Sequence, residues 1–232
     1  MLAPLALLAA TGCIDGINRI DGSGVALTTS YQVDGFDEIE IGGAFSAEVT
    51  VRDGEPGVEI TVDDNLEDRV EVEVRGDRLH IGFDAGNYDF DVVPTAVITV
   101  ASLEALGVSG ASRATVDGLQ ASAFDLEASG ASQAEVDGSV TADLRLEGSG
   151  ASTITFRGSA AELILDLSGA SSGDLEGLVA DSADVDLSGA SDAVLGDIPT
   201  VAGDLSGASN LTVAEDADVS VDVSGASDVD RR

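Results

Sequence analysis

Short stretches in which apolar and acidic residues alternate fill the chain from about residue 106 onward. Leu-Glu-Ala at 126–128 and Leu-Asp-Leu at 165–167 are two of them. Successive side chains of a β-strand point to opposite faces, so a period of two predicts strands with one buried face and one acidic, solvent-exposed face.

A tetrapeptide, Ser-Gly-Ala-Ser, follows each of these stretches. It occurs seven times, at intervals of 20, 20, 19, 20, 18 and 18 residues. The copies begin at Ser109, Ser129, Ser149, Ser168, Ser188, Ser206 and Ser224. Beyond each copy the alternation resumes and usually ends at a Gly-containing turn such as Asp117-Gly118. Each unit therefore predicts a strand, a Gly-Ala corner, a second strand, a turn and a short third side.

Units of 18–20 residues cannot bury their apolar faces alone, but stacked units form parallel sheets around a continuous thin core. The predicted fold is therefore all-β: a parallel β-helix, or β-solenoid, with short rungs. Aromatic residues make up only 3% of the chain and Trp is absent, which suits a narrow core. Right-handed coiling is favoured by the general crossover rule, and a left-handed helix of hexapeptide units is the alternative.

Residues 31–105 lack the tetrapeptide but keep the strand pattern. Residues 58–62 and 70–74 alternate strictly and are joined by the polar loop Asp63-Asp64-Asn65. The stretch 36–49 lines up with 124–136 as a degenerate first rung. Because solenoids need atypical terminal units, we expect 31–105 to form degenerate rungs and an N-terminal cap, followed by Ser-Gly-Ala-Ser repeats over 106–232.

The N-terminus carries a short apolar run that leads into Ala10-Thr11-Gly12-Cys13. This run is too short to cross a bilayer as a helix, and its end resembles the lipobox of bacterial lipoproteins. That resemblance implies a signal peptide over residues 1–12, truncated because no Arg or Lys precedes the run, and lipidation of Cys13. Residues 13–30 would then be the lipidated terminus and a polar tether. The alternative is a buried free cysteine after a short strand.

The charge balance excludes nucleic-acid partners and argues against docking on an anionic lipid surface. Asp and Glu number 44 against 10 basic residues, all of them Arg, and the net charge is -34. Nucleic-acid binding needs Lys or Arg to neutralise phosphates, and docking on an anionic lipid surface needs positive charge. Contact with a membrane is therefore expected through the lipid anchor only, which places the protein in the cell envelope as an outer-membrane or cell-surface lipoprotein.

The acidic position of each unit forms a column, since rungs stack about 4.8 Å apart. Its members are Glu127, Glu147, Asp166, Asp186, Asp204 and Asp222, with Gly107 at this position in the first unit. Three interpretations stay open: a solvated face screened by salt, Ca²⁺ bound between rungs, or a carboxylate pair acting on a polysaccharide. The chain has neither an EF-hand loop nor a Gly-Gly-x-Gly-x-Asp repeat, so no metal site or cofactor is assigned and Ca²⁺ remains a possibility.

Few other residues carry chemistry. Arg113, Arg145 and Arg157 interrupt the acidic body, and ion pairing on a solvated face explains them more simply than a lyase clamp. His80 is the only histidine and lies between apolar strand positions, where a half-exposed strand residue explains it better than a catalytic base. With one His, no Lys and the only Cys assigned to lipidation, no nucleophilic triad can be assembled. The tripeptide at 75–77, Arg-Gly-Asp, is interpreted as a coincidence within a turn. We predict no catalytic residues and no enzyme activity.

The lipobox, the strand-rich start around residues 33–39 and the Ser-Gly-Ala-Ser rungs together resemble the head GIN domain family of autotransporter adhesins over residues 31–230. This resemblance implies a β-helical surface or periplasmic domain and supplies no catalytic residues. We therefore expect an exported, lipid-anchored, acidic adhesin or display module whose ligand is a glycan or an envelope protein. The alternatives are a β-helical polysaccharide lyase or hydrolase, favoured by a break in the acidic column such as one around Arg145 and Arg157, and a structural envelope component.

Overall fold

The computed structural model describes residues 19–232, and nearly all of its regular structure is β. In chain order the elements are β1 (Arg19–Asp21), β2 (Ala26–Tyr31), β3 (Glu38–Ile41), β4 (Ser46–Val51), β5 (Gly57–Asp63), a 3-10 helix (Asp64–Arg69), β6 (Val70–Arg75), β7 (Arg78–Phe83), β8 (Asn87–Asp89), β9 (Thr95–Val100), β10 (Ala105–Val108), β11 (Arg113–Ala121), β12 (Phe124–Ala128), β13 (Gln133–Val140), β14 (Asp143–Gly148), β15 (Thr153–Ser159), β16 (Glu162–Leu167), β17 (Ser172–Val179), β18 (Ser182–Leu187), β19 (Asp192–Asp197), β20 (Thr200–Leu205), β21 (Asn210–Val213), β22 (Asp218–Val223) and β23 (Asp228–Arg231).

Two long sheets form the body of the molecule. The strands that precede the tetrapeptides lie in sheet 1, in the order β22-β20-β18-β16-β14-β12-β10-β3-β7-β6. The strands that follow them lie in sheet 2, in the order β2-β5-β9-β4-β11-β13-β15-β17-β19-β21-β23. All pairs from β3 to β22 in sheet 1, and from β4 to β23 in sheet 2, are parallel. The predicted β-solenoid is confirmed.

Equivalent residues of successive units stack in register and build the core. Leu126 pairs with Leu106 on one side and with Leu146 on the other, and all three are almost fully buried. The largest core side chains in the repeats, Phe124 and Phe156, are at most 1% exposed. A core of stacked medium-sized side chains explains why the chain needs so few aromatic residues.

The predicted second and third sides of a unit belong to one strand in β11 and β13. β11 continues through the expected turn at Gly118 as far as Ala121, with a register shift against β13 between Val116 and Leu119. Gly118 has a φ of +80°, which turns the backbone. The residues after the turn return to the ladder with β13.

The Ser-Gly-Ala-Ser corners continue the hydrogen-bond ladder between rungs. The amides of Ser129, Ala131 and Gln133 donate to carbonyls of the unit below, at 2.8–3.0 Å. The last serine of each of the first six copies points inward and is at most 2% exposed: Ser112, Ser132, Ser152, Ser171, Ser191 and Ser209. The corner therefore holds the rungs together as regularly as the strands do.

The N-terminal end of the solenoid differs from the repeats. β3 pairs in register with β10, and β4 with β11, so residues 38–51 form one more rung of the parallel stack. β7 pairs with β3 and β9 pairs with β4, both in parallel. Beyond them, β6 continues sheet 1 and β5 and β2 continue sheet 2 with antiparallel strands. Phe45 occupies the position of the buried serine and stacks on Phe83, with ring centroids 4.9 Å apart.

Residues 19–31, named the strap here, are folded onto this end although a flexible tether was predicted to reach residue 30. β1 pairs with β8, and β2 pairs with β5. The buried carboxylate of Asp63 accepts hydrogen bonds from the amides of Gly24, at 2.7 Å, and Val92, at 3.0 Å. Asp63, which the sequence predicts only as part of a polar loop, therefore holds the strap against the end of the solenoid. Cys13 and the predicted signal peptide lie outside the described residues.

Candidate functional site

The acidic column runs along the outer face of sheet 1. Glu127, Glu147, Asp166, Asp186, Asp204 and Asp222 lie on adjacent strands in direct register. Partial desolvation of its carboxylate raises the pKa of Asp186 above the ordinary value of 3.8, and repulsion from Asp204, Asp184 and Asp166 raises it further. The neighbouring carboxylates of this column therefore disfavour the charged form of Asp186.

The column is interrupted at β10. Gly107 pairs with Glu40 on one side and Glu127 on the other, and contributes no side chain to the outer face. Two residues earlier, Ala105 lies between Glu38 and Asp125 and contributes only a methyl group. β10 is therefore the floor of a groove of about 360 Å³. We call it the notch: its floor is Ala105 and Gly107, and its walls are the carboxylates of β3 and β12.

Three of the wall carboxylates lie beside basic side chains, two of which, Arg78 and Arg145, also line the notch. Glu38 Oε2 accepts a hydrogen bond from Arg78 Nε at 2.8 Å. Glu40 Oε2 lies 3.5 Å from His80 Nδ1, and Asp125 Oδ1 lies 3.7 Å from Arg145 Nε. Such pairs between partly exposed groups add little stability, but they restrict where each carboxylate can point.

The charge of the notch is negative. Its lining includes five carboxylates and two guanidinium groups: Glu38, Glu40, Asp125, Glu127, Glu147, Arg78 and Arg145. Among residues 19–232, no arginine or histidine nitrogen lies within 4.0 Å of a Glu127 carboxylate oxygen. The wall formed by β12 therefore presents a carboxylate that is not neutralised by the protein itself.

The acidic column is interrupted at Gly107 on β10, and not around Arg145 and Arg157 as the sequence suggested. Arg145 lines the notch, but Arg157 lies on sheet 2, where it pairs with Glu135. Arg113 is also on sheet 2 and donates to Gln133. The signal that marks the notch in the sequence is Gly107, the one non-acidic member of the column.

The remaining motifs lie near or outside the notch. The Arg-Gly-Asp tripeptide at 75–77 forms the exposed tip of the hairpin between β6 and β7, where Arg75 pairs with Glu73. Within residues 19–232, no three His, Cys, Asp or Glu side chains come together in a group that could hold a metal ion. Over the same residues, no helix is both long and apolar enough to cross a membrane.

Comparison with known families agrees with this architecture. The sequence profile described as "Putative auto-transporter adhesin, head GIN domain" matches residues 35–217, which is most of the chain. The chain belongs to the head GIN domain family. The match begins just before β3 and ends just before β22, so the notch and all the parallel strands of the two long sheets except β22 and β23 lie within the matched residues.

Solved structures share the fold of this head GIN domain. A "putative adhesin" from Bacteroides fragilis has a TM-score of 0.84 at 18% identity, and the match covers 92% of this chain and 100% of that one. For a "putative lipid binding protein" from Parabacteroides distasonis the TM-score is 0.74 at 17% identity, with 92% and 99% covered. For a "putative adhesin" from Parabacteroides merdae it is 0.68 at 18%, with the same coverage. A comparison with curated proteins finds no significant match.

Proposed function

We propose that this protein is an exported, lipid-anchored binding module of the bacterial cell envelope that holds its ligand in the notch without chemically changing it. Membership of an adhesin-type family supports a binding role at the cell surface or in the envelope. The observation that carries the proposal is the gap that Gly107 leaves next to the acidic column, widened by Ala105 between Glu38 and Asp125. A groove on a rigid solenoid offers a ligand a preformed surface and a small loss of conformational freedom on binding.

The anchoring part of the proposal rests on Cys13. The apolar run and Ala10-Thr11-Gly12-Cys13 resemble a lipoprotein signal. Only five residues separate Cys13 from β1, and five residues span at most roughly 20 Å when fully extended. The folded body would therefore be held close to the membrane rather than on a long tether.

Replacing Cys13 tests the anchor in the native host. Cys13→Ser in the full chain is expected to move the protein from the membrane pellet to the soluble fraction, because the lipid supplies the membrane affinity. The double variant Cys13→Ser/Ser23→Cys restores the cysteine count on the strap and is the control for thiol loss. Retention of Cys13→Ser in washed membranes would show that the lipoprotein assignment is wrong.

A filled notch tests the binding role. Co-sedimentation of the full chain with envelope fractions and insoluble polysaccharides is compared for the wild type, Gly107→Glu and Ala202→Glu. A Cβ on Gly107 would lie 3.6 Å from its nearest neighbour, an ordinary contact, so Gly107→Glu fits the fold and closes the gap in the column. Ala202 lies on the outer face of β20 in the same sheet, so Ala202→Glu adds the same charge away from the notch.

The expected result is loss of retention for Gly107→Glu alone. Equal retention of all three proteins would contradict the use of the notch. Melting curves of both variants close to that of the wild type verify that the fold is kept.

A polysaccharide hydrolase is the second candidate, because Glu40 and Glu127 face each other across one strand. Two strand spacings separate their backbones by about 9.6 Å, and from there the two side chains are long enough to bring their carboxyl groups to the roughly 6.5–9.5 Å separation of inverting glycosidases. Reducing sugar ends are therefore measured in the same co-sedimentation tubes. New reducing ends that form with the wild type but not with Gly107→Glu would show that the notch hydrolyses a polysaccharide and does not only bind it.

A further inference from the structure

We infer that the notch binds an extended, basic peptide segment whose positive side chains recur at every second residue. This inference rests on the proposed function, because it names the class of ligand that the notch would hold. It follows from the spacing of the wall carboxylates, the width of the notch and the charge around it.

The spacing of the walls matches an extended chain. Glu38 and Glu40 are two residues apart on β3, and Asp125 and Glu127 are two residues apart on β12. Alternate residues of a strand are about 6.6–6.8 Å apart. An extended peptide lying along β10 repeats its side chains at this same distance, so positive groups at positions i and i+2 would each meet one carboxylate from each wall.

The width of the notch admits one chain. The wall strands β3 and β12 are separated by β10 alone, which gives about 9.6 Å between their backbones. Gly107 and Ala105 leave the floor almost free of side chains. A single extended backbone fits between the walls, and its lysine side chains are long enough to reach the carboxylates on either side.

The negative charge of the notch favours a positively charged partner. The notch lining carries more carboxylates than guanidinium groups, and both guanidinium groups lie beside wall carboxylates, Arg78 at Glu38 and Arg145 at Asp125. The chain as a whole has a net charge of -34, so an acidic polymer would be repelled before contact. A basic segment would be attracted at long range and then paired with Glu127, which has no basic neighbour within 4.0 Å in the described part of the chain.

The test uses three fluorescent peptides of five residues and measures their dissociation constants with the full chain in detergent. Lys-Ser-Lys-Ser-Lys has the predicted period, Lys-Lys-Lys-Ser-Ser has the same charge in a different order, and Glu-Ser-Glu-Ser-Glu has the opposite charge. Each peptide is titrated into the wild type, Gly107→Glu and Ala202→Glu at low and physiological salt. Gly107→Glu adds a negative charge and at the same time occupies the floor of the notch. It should therefore strengthen the general attraction of a basic peptide and weaken specific binding in the notch.

The expected result is that Lys-Ser-Lys-Ser-Lys binds the wild type at least about threefold more tightly than Lys-Lys-Lys-Ser-Ser. Gly107→Glu should weaken it about tenfold or more, and Ala202→Glu should leave it unchanged or slightly tighter. Equal or tighter binding to Gly107→Glu would show that the attraction is spread over the acidic surface and would overturn the inference.

The two proposals fail in different ways. If no peptide binds but Gly107→Glu still abolishes retention on a polysaccharide or envelope fraction, the ligand is of another class and only the basic-peptide inference is wrong. If Gly107→Glu changes neither peptide binding nor co-sedimentation, the notch is not a binding site and both proposals are wrong.

Discussion

Gly130 stacks directly on Gly110, so closely that a Cβ on Gly130 would lie 2.7 Å from the carbonyl oxygen of Gly110. Gly130 also has a φ of +78°, a conformation that side chains with a Cβ rarely adopt. The same relationship recurs at the corner glycines of the other tetrapeptides. Two independent physical constraints therefore keep glycine at the second position of every copy.

A comparison of alanine substitutions at Gly130 and at Gly35 separates these two constraints. Gly130→Ala is expected to lower the free energy of unfolding by about 2–4 kcal/mol, from backbone strain and from the clash with the rung below. Gly35 has a φ of +74° but nothing within 4 Å of its Cβ position, so Gly35→Ala should cost about 1 kcal/mol from strain alone. Denaturant unfolding measures both. Equal losses would show that rung stacking does not demand glycine.

The buried serines differ in whether their hydroxyls are satisfied. Ser191 Oγ donates to the carbonyl oxygen of Ser188 at 2.8 Å, whereas Ser152 Oγ has no hydrogen-bond partner among residues 19–232. Ser191→Ala should therefore destabilise the protein by about 1 kcal/mol, and Ser152→Ala should be neutral or stabilising. Thermal melts of the two variants test this. An equal loss in both would mean that the Ser152 hydroxyl is bonded in solution.

Protonation of Asp186 at acidic pH should stabilise the folded protein. Because its pKa is raised above 3.8 in the folded protein, the folded state binds more protons than the unfolded chain between those two values. This contribution to stability therefore increases as the pH falls from neutral towards 3.8 and is lost as the pH rises through the folded pKa. Asp186→Asn removes the charge and should raise the melting temperature at pH 7 by about 1–2 °C, because Asp186 is exposed and the effect is screened by solvent.

The pH dependence of that gain is the decisive measurement. The stabilisation by Asp186→Asn should disappear below pH 3.8, where the wild-type carboxyl is also neutral. Asp143→Asn, an exposed carboxylate on β14 outside the column, is the control for a general change in net charge. A gain from Asp186→Asn that does not vary between pH 3 and pH 7 would contradict repulsion within the column.

The strap depends on the buried carboxylate of Asp63. Asp63→Ala leaves the amides of Gly24 and Val92 without their acceptor and should cost about 2–4 kcal/mol. Hydrogen exchange should increase first in residues 19–31. Asp64→Ala removes only an exposed hydrogen bond from Ser23 and should cost less than about 1 kcal/mol. Unchanged exchange in Asp63→Ala would show that β1 and β2 hold the strap without it.

Much of the fold could be predicted because in-register stacking puts equivalent residues of each unit in the same environment. Leu106, Leu126 and Leu146 face the same core, so the same residue types recur at the rung period and become visible in the sequence. The resemblance of residues 36–49 to a repeat unit was visible for the same reason, and the structure places β3 beside β10.

The sequence by itself determined the solenoid, the corner glycines and the acidic column, because each arises from a pattern that repeats every rung. Tertiary structure alone decided the strap and the walls of the notch. Asp63 and Gly24 are 39 residues apart, and Glu40 reaches Gly107 only through the pairing of β3 with β10. Such contacts occur once in the molecule and join distant segments, so no local period records them; they exist only after the sheets have set their register.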